Sequence, residues 1–344
     1  MLFVMFTQAE INRAGRVLRV SQEDAAASSI LEDWMNLHAQ FLTELVPRTV
    51  CDPFTIVSPK GITIAVSARP KRRVSILNKL QRFPALHLTK MQDIAGIRYV
   101  LYADDKELRD NITWITDFKK RLKEYFADCF DVVRVKDYIG EPKPDGYRGI
   151  HYILKYTSDD KFNNLQFELQ VRTYYQHLWA MAVETVDMAY GYTLKTGGND
   201  DAGWRDFFKL ASMLIARLEN APVLPEYEDK DLATIKTELT TLGETGGYFA
   251  KLNALTKLPL AKTSENDFWL LNINVKNKQV NASPFNADVL DVMREFCGIK
   301  EKTAPYINGD AHIVIASAKG FRDIVEAYPS YFLDVVKFLA MVRG

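Results

Sequence analysis

The stretch from Gly149 to Val171 constrains the fold of this chain more than any other. Two runs, Gly149–Thr157 and Leu165–Val171, flank the polar segment Ser158-Asp-Asp-Lys-Phe-Asn-Asn164. Runs of this length bounded by polar turn residues read as two strands of an antiparallel hairpin. The second run alternates. Phe167, Leu169 and Val171 point one way, and Glu168, Gln170 and Arg172 the other. The sheet therefore has an apolar face for a core and a polar face. Next to a strand carrying His151, that polar face makes a floor for a ligand, or equally a half-exposed antiparallel strand.

The flanking pattern extends this hairpin into an α+β unit, a mixed β-sheet with flanking helices. Ile30, Leu31, Trp34, Leu37, Phe41, Leu42 and Leu45 recur at three and four residues and predict an amphipathic helix ended by Pro47. Residues 62–67 read as a short strand. A helix is expected from Pro70 to about Arg82, with Ser67 as a cap. Gly96–Tyr102 and Asp131–Lys136 are expected strands, and 105–127 and 174–190 expected helices. Residues 1–29 read as a loosely attached N-terminal arm and 30–192 as the main domain. Thr193–Ala202 reads as a polar linker. Residues 203–344 then read as a helical connector followed by a small α/β module, with helices over 203–219, 230–256 and 286–296, strands over 267–276 and 311–317, and two short helices within 320–342.

Bulk properties exclude several classes. The 344 residues carry 44 basic and 44 acidic side chains, so no global charge marks a nucleic-acid binder. Charge is nonetheless uneven: Arg69 to Arg82 holds six Lys or Arg and no acidic residue. Cys51, Cys129 and Cys297 lie far apart, without metal-ligand spacing or a disulfide framework. The opening MLFVMF is too short for a signal peptide, and no stretch reaches the ~18 apolar residues of a membrane span. A cytoplasmic protein without membrane contact is expected.

The chemistry-bearing residues fall in two segments. The first runs Arg69-Pro-Lys71-Arg-Arg-Val-Ser75-Ile-Leu-Asn-Lys79 and is followed by Asp93-Ile-Ala-Gly96-Ile-Arg98. On a helix from Pro70, Lys71, Ser75 and Lys79 share one face, a stripe able to hold a polyphosphate or simply to face solvent. The second runs Lys143-Pro-Asp145-Gly-Tyr147-Arg-Gly-Ile-His151 and is followed by Glu168-Leu-Gln170-Val-Arg172. Gly146 allows a tight turn, and Tyr147 projects a ring from a loop. A base could stack there, or the ring could pack against the sheet edge. Asp145 could accept from guanine N1–H and N2–H₂ or cap a turn. Several cations, two carboxylates and one loop aromatic suit phosphoryl transfer, which demands positioning and charge neutralisation more than covalent chemistry.

The order and spacing of these motifs resemble the synthetase domain of the RelA/SpoT family over roughly residues 30–192. The resemblance implies an Mg²⁺-dependent pyrophosphotransferase, with ATP as donor and GDP or GTP as acceptor, that makes the alarmone (p)ppGpp. It implies that Arg69, Lys71, Ser75, Lys79 and Arg98 bind ATP and that Asp93 and Glu168 hold Mg²⁺, with Glu168 also the base. It places Lys143, Tyr147 and His151 on the acceptor, with Asp145, Gln170 and Arg172 lining the same place. Trp179 reads mostly as core, and Glu184 as a supporting partner. Two departures are Ala68, where the family usually has Gly, and Asp145, where it often has Asn or Ser. No His-Asp dipeptide occurs, so nothing resembles the hydrolase domain of the long bifunctional enzymes. The alternative is a toxic member of the same family, from a toxin–antitoxin or phage-defence system, that makes adenosine alarmones or pyrophosphorylates the tRNA 3′ end. A basic patch of Arg134, Lys136 and Arg148 would favour tRNA, and an antitoxin or regulatory partner would then be expected. A third reading is a dead nucleotide-sensing module. The family's short members imply a homo-oligomer, although no heptad here sets a number.

Overall fold

A computed structural model describes residues 6–44, 62–71, 73–103, 130–157, 161–190, 192–194, 201–255, 268–274, 279–285, 311–317 and 335–344, with single positions between 293 and 301. The expected helices at 105–127 and 286–296, most of the Thr193–Ala202 linker and the start of 320–342 lie outside the described residues.

Two helices open the chain, α1 (Gln8–Val20) and α2 (Ala25–Glu44). Thr7 caps α1 through a capping box with Glu10: the Thr7 hydroxyl oxygen accepts from the Glu10 N–H at 3.3 Å, and the Thr7 N–H donates to Glu10 Oε2 at 2.7 Å. This region is not the loose arm expected from its polarity. Ile11, Ala14 and Leu18 form an apolar stripe buried against Leu31, Ile76, Leu77, Leu80 and Leu88. Arg19 adds two bonds, donating to the carbonyls of Leu80 at 3.0 Å and Leu86 at 2.9 Å. A few small apolar residues at helical spacing suffice when the facing helix supplies the large ones.

The central sheet has five strands in the order β1-β2-β5-β4-β3. They are β1 (Ile62–Pro70), β2 (Ala95–Ala103), β3 (Phe130–Asp137), β4 (Ile150–Tyr156) and β5 (Gln166–Thr173). Only β2 and β5 run parallel; the other neighbours are antiparallel, so the sheet is mixed. The expected hairpin is β4–β5. Its apolar face carries Leu154, Phe167, Leu169 and Val171, packed with Ile97, Tyr99 and Leu101 of β2 and with Phe41 of α2. Phe41 sits 5.1 Å from the Phe167 ring and 5.7 Å from the Tyr156 ring, centre to centre.

One expectation is corrected between β1 and the next helix. Pro70 is not in the first turn of a helix, nor is Ser67 its cap. Both belong to β1, with Ser67 opposite Arg98 and Pro70 opposite Ala95. β1 is an edge strand, where a residue lacking an N–H is tolerated. Lys71 continues the pairing by donating to the Ile94 carbonyl at 2.7 Å. Helix α3 begins only at Arg73 and runs to Arg82. Lys71 therefore lies on the strand-to-helix turn, with Ser75 and Lys79 on the helix.

After β5 the chain enters α4 (Tyr174–Tyr190), then α5 (Ala202–Leu218), α6 (Leu232–Thr245) and α7 (Tyr248–Ala254). A three-stranded antiparallel sheet follows, ordered β7-β6-β8, with β6 (Phe268–Asn274), β7 (Gln279–Phe285) and β8 (Ala311–Ser317). Helix α8 (Val336–Arg343) ends the described chain. Strand β7 is absent from the sequence expectations. Its Asn281, Ser283 and Pro284 are poor strand formers, and it is an edge strand that β6 recruits. The helices share one core. Leu178, Trp179 and Val183 of α4 pack with Trp204, Phe207 and Phe208 of α5, with Tyr248 and Phe249 of α7 and with Phe338 of α8. Among the described residues no helix is long and apolar enough to cross a membrane.

Candidate active site

Register gathers the polar residues of the sheet. Arg98 of β2 lies opposite Gln170 of β5, and Gln170 opposite His151 of β4. Glu168 lies opposite Gly96, which in turn pairs with Arg69 of β1. Residues opposite one another in a sheet share a face. Arg98, His151, Glu168 and Gln170 therefore stand on the face away from the aromatic core, and Arg69 holds a register position beside them.

Around His151 and Glu168 this face carries a closed circuit of hydrogen bonds. His151 Nδ1 lies 2.7 Å from Glu168 Oε1, and Gln170 Nε2 donates to Glu168 Oε2 at 2.7 Å. Arg172 Nη2 donates to Gln170 Oε1 at 2.9 Å and to the Tyr147 hydroxyl at 2.8 Å. The Tyr147 hydroxyl returns to His151 Nε2 at 2.5 Å. Because Glu168 only accepts, Nδ1 is assigned the imidazole proton, and Nε2 accepts from the tyrosine hydroxyl. Burial alone would raise the Glu168 pKa, but the bonds from His151 and Gln170 outweigh it and leave the group below the ordinary glutamate value. Glu168 is an ionised carboxylate at neutral pH.

Around Asp93 the site is built from charge. Asp93, in the turn before β2, accepts from Lys71 Nζ at 2.9 Å through Oδ2 and from Lys79 Nζ at 2.9 Å through Oδ1. Burial pushes its pKa up, and the two ammonium groups more than reverse this, so the net shift is downward. The two carboxylates feel each other: the charge on Asp93 raises the Glu168 pKa. Ser75 is half-buried on the first turn of α3. Two members of the expected stripe, Lys71 and Lys79, thus converge on a carboxylate of their own chain.

The loop from Tyr138 to Gly149 carries the remaining candidates. Lys143-Pro-Asp-Gly146 forms a β-turn closed by the Gly146 N–H on the Lys143 carbonyl at 2.8 Å, with Pro144 at the position where its fixed φ fits. Gly146 has φ +88°, which favours glycine. Asp145 Oδ1 accepts from the Tyr147 N–H at 2.8 Å, so of its two roles the turn cap is realised. Tyr147 does not project from the loop. Its ring is 6% exposed and packs edge-on against Tyr138, His151 and Trp179. The Lys143 ammonium lies 4.8 Å from its centre. Arg148 is not part of an exposed basic patch either, being 2% exposed, whereas Arg134 and Lys136 stand free of the core on edge strand β3.

Sequence reasoning did not find the support for this loop. Ser212 of α5 donates to the Gly146 carbonyl at 2.5 Å and accepts from Arg148 Nε at 3.1 Å. Trp179, read as core, donates through Nε1 to the Phe208 carbonyl of α5 at 2.6 Å. No motif spacing links 146 to 212; only packing does.

This arrangement lies in a stretch with known relatives. Residues 68–194 match the family described as "Region found in RelA / SpoT proteins". The chain is 26% identical over 223 residues to the GTP pyrophosphokinase YwaC of Bacillus subtilis, covering 61% of this chain and 94% of that one. It is 31% identical over 131 residues to the GTP pyrophosphokinase YjbM of the same organism, covering 36% of this chain and 56% of YjbM. Among solved structures it is similar to small alarmone synthetase 1 of Bacillus subtilis bound to its product pppGpp, at 26% identity and a TM-score of 0.45, covering 55% of this chain and 93% of that one.

Proposed function

We propose that this chain transfers the β,γ-pyrophosphate of ATP to the ribose 3′-hydroxyl of GDP or GTP, releasing AMP and forming (p)ppGpp. The observation that carries the reading is Glu168: an ionised carboxylate on the polar face, within electrostatic reach of Asp93, which two lysines hold, inside a RelA/SpoT region.

Asp93 and Glu168 suit Mg²⁺. Among the described residues no group of three or more His, Cys, Asp or Glu is placed to hold a metal, and Mg²⁺ typically takes one or two carboxylates and fills its shell with phosphate oxygens and water. Bound with the nucleotide, the ion supplies neutralisation of phosphate charge. Lys71 and Lys79 exchange Asp93 for donor phosphate oxygens, with Arg69, Ser75 and Arg98 completing the grip. Lys143 leaves the Tyr147 ring so that a base can stack there, and Asp145, His151, Gln170 and Arg172 hold the rest of the acceptor. Glu168 accepts the proton of the 3′-hydroxyl. The 3′-oxygen attacks the β-phosphorus, the bond from that phosphorus to the α–β bridging oxygen breaks, and AMP leaves.

In a second reading, a tRNA or adenine-nucleotide acceptor, the tRNA form is favoured by one observation: Arg134 and Lys136 are exposed on β3, with Lys136 opposite His151. The test is transfer of label from β- or γ-labelled ATP with Mg²⁺ to GDP, GTP, ADP, ATP and deacylated tRNA in parallel. Label on GDP or GTP supports the first reading. Label only on tRNA or an adenine nucleotide replaces it with the second, and no label on any acceptor overturns both.

A further inference from the structure

Helix α5 lies outside the RelA/SpoT region, which ends at residue 194, yet it packs directly on the acceptor loop. A Cβ at Gly146 would stand 3.0 Å from Ser212 Cβ and 3.4 Å from Lys209 Cα, so loop and helix are in backbone contact. The Ser212 hydroxyl is buried and used twice, as donor to Gly146 and as acceptor from Arg148. Arg148 in turn donates through Nη1 to the Ile139 carbonyl at 3.4 Å, tying the far end of the loop to the same point. Four residues from Ser212, Phe208 accepts from Trp179, whose ring backs Tyr147. At the C-terminal end of α5, Glu219 accepts from the Thr173 hydroxyl and from Gln176 Nε2 at 2.8 Å, directly after Arg172 in the chain. One helix therefore holds the loop bearing Tyr147 and the strand end bearing Arg172. Its other side packs in the core shared with α6, α7 and α8.

We infer that α5, through Ser212, is the positioning element of the acceptor loop, so that the helical layer beyond residue 201 sets the geometry of the acceptor half of the site and leaves the donor half untouched. The inference rests on the acceptor assignment made above. Physically, a loop whose carbonyl and arginine both end on one buried hydroxyl has one arrangement; without that hydroxyl both partners are left buried and unsatisfied.

The test is Ser212→Ala in the full chain, with Ser212→Cys as the conservative variant. Alanine is a good helix former and nearly isosteric, so folding should survive, and thermal unfolding verifies it. Two readouts are taken together. Amide hydrogen exchange should rise at Gly146, Tyr147 and Arg148 while staying unchanged along α3 and at Asp93. In steady-state transfer the KM for the acceptor should rise about three- to ten-fold, the scale of one lost buried hydrogen bond, with the KM for ATP unchanged and partial rescue by cysteine. Unchanged loop exchange overturns the inference whatever the activity does. A parallel rise of exchange in α3 and of both KM values also overturns it, since that is general loosening. If the wild-type chain transfers label to no acceptor, the functional reading fails, and exchange alone decides the brace.

Discussion

The two halves of the site are preset in opposite ways. On the donor side, Asp93 is clamped by Lys71 and Lys79, two ion pairs at 2.9 Å on side chains that remain about a fifth to a third exposed. On the acceptor side, Tyr147, His151, Glu168, Gln170 and Arg172 close a hydrogen-bonded ring with Tyr147 and Arg172 essentially buried. Charge pairs near solvent are weak and exchangeable, so a polyphosphate with a divalent cation can replace each partner. A buried ring of directional bonds does not exchange partners cheaply, and it fixes atoms in place. The half proposed for the donor is thus held by charges a ligand can swap, and the half proposed for the acceptor by geometry it must fit.

The sharpest way to break this comparison is Glu168→Gln. The amide cannot accept at both former oxygens, so either His151 or Gln170 loses its acceptor and the base is gone together. Transfer should fall by roughly 10²–10⁴-fold, the usual range for a positioned base, while ATP binding by calorimetry stays within about two-fold. Transfer at the wild-type rate would remove Glu168 from the chemistry. Asp93→Asn probes the other half. It frees two lysines and removes a charge that repels phosphate. ATP binding in the presence of EDTA should tighten about ten-fold, and that gain should fade with added salt, while Mg²⁺-dependent transfer drops about 10²-fold. Weaker metal-free binding would show that the lysine clamp is not exchangeable.

The same contrast explains what was legible in the sequence. The sheet was readable because its residues alternate: Phe167 to Arg172 declare both faces, and the β4–β5 hairpin and α4 fall within the expected ranges. The grouping of Arg69, Lys71 and Lys79 was readable because they are local, on one strand, its turn and the following helix, although Pro70 pointed to helix and the edge position of β1 made it strand. The state of Tyr147 was not readable. A tyrosine in a glycine-containing turn says nothing about Trp179, Tyr138 and His151 closing around it, because those contacts come from three different elements. Ser212 and Glu219 were invisible for the same reason. Ser212 is one polar residue in an apolar helix segment and Glu219 the polar cap that follows the helix, and only long-range packing reveals that the loop and the β5–α4 junction end on them.

Tyr147→Phe tests the ring with a smaller change. It keeps the aromatic face but leaves Arg172 Nη2 one acceptor short and His151 Nε2 without a donor. The expected cost is about 1–3 kcal/mol in urea unfolding and about a ten-fold rise in acceptor KM, with ATP KM unchanged. If stability and KM both hold, the circuit is not a structural unit, and the comparison between the halves loses its acceptor side.

The smallest effect on catalysis is expected at Glu219, where the prediction concerns pH. Burial pushes its pKa up from 4.5 to about 7, and the bonds from Thr173 and Gln176 and the nearby Arg148 charge only partly oppose this. The folded chain then holds a proton that the unfolded chain releases near 4.5. The contribution to stability is complete below 4.5, declines as pH rises, and is lost once pH passes through about 7. The ceiling on this loss is about 3–4 kcal/mol, because a tenfold change in proton affinity corresponds to about 1.4 kcal/mol and the rise from 4.5 to about 7 spans two to three such steps. Glu219→Gln reproduces the protonated acid: its carbonyl can accept from Gln176, and its amide can donate to the Thr173 hydroxyl. The variant should match wild type at pH ~5 and exceed it by several degrees in Tm at pH ~8, with the pH slope flattened and acceptor KM unchanged. A slope as steep in the variant as in wild type would assign the titration to another group. A variant that loses stability at both pH values would mean that Glu219 is ionised and paired with Arg148. The end of α5 would then be locked by charge, as the donor half is, and not by geometry.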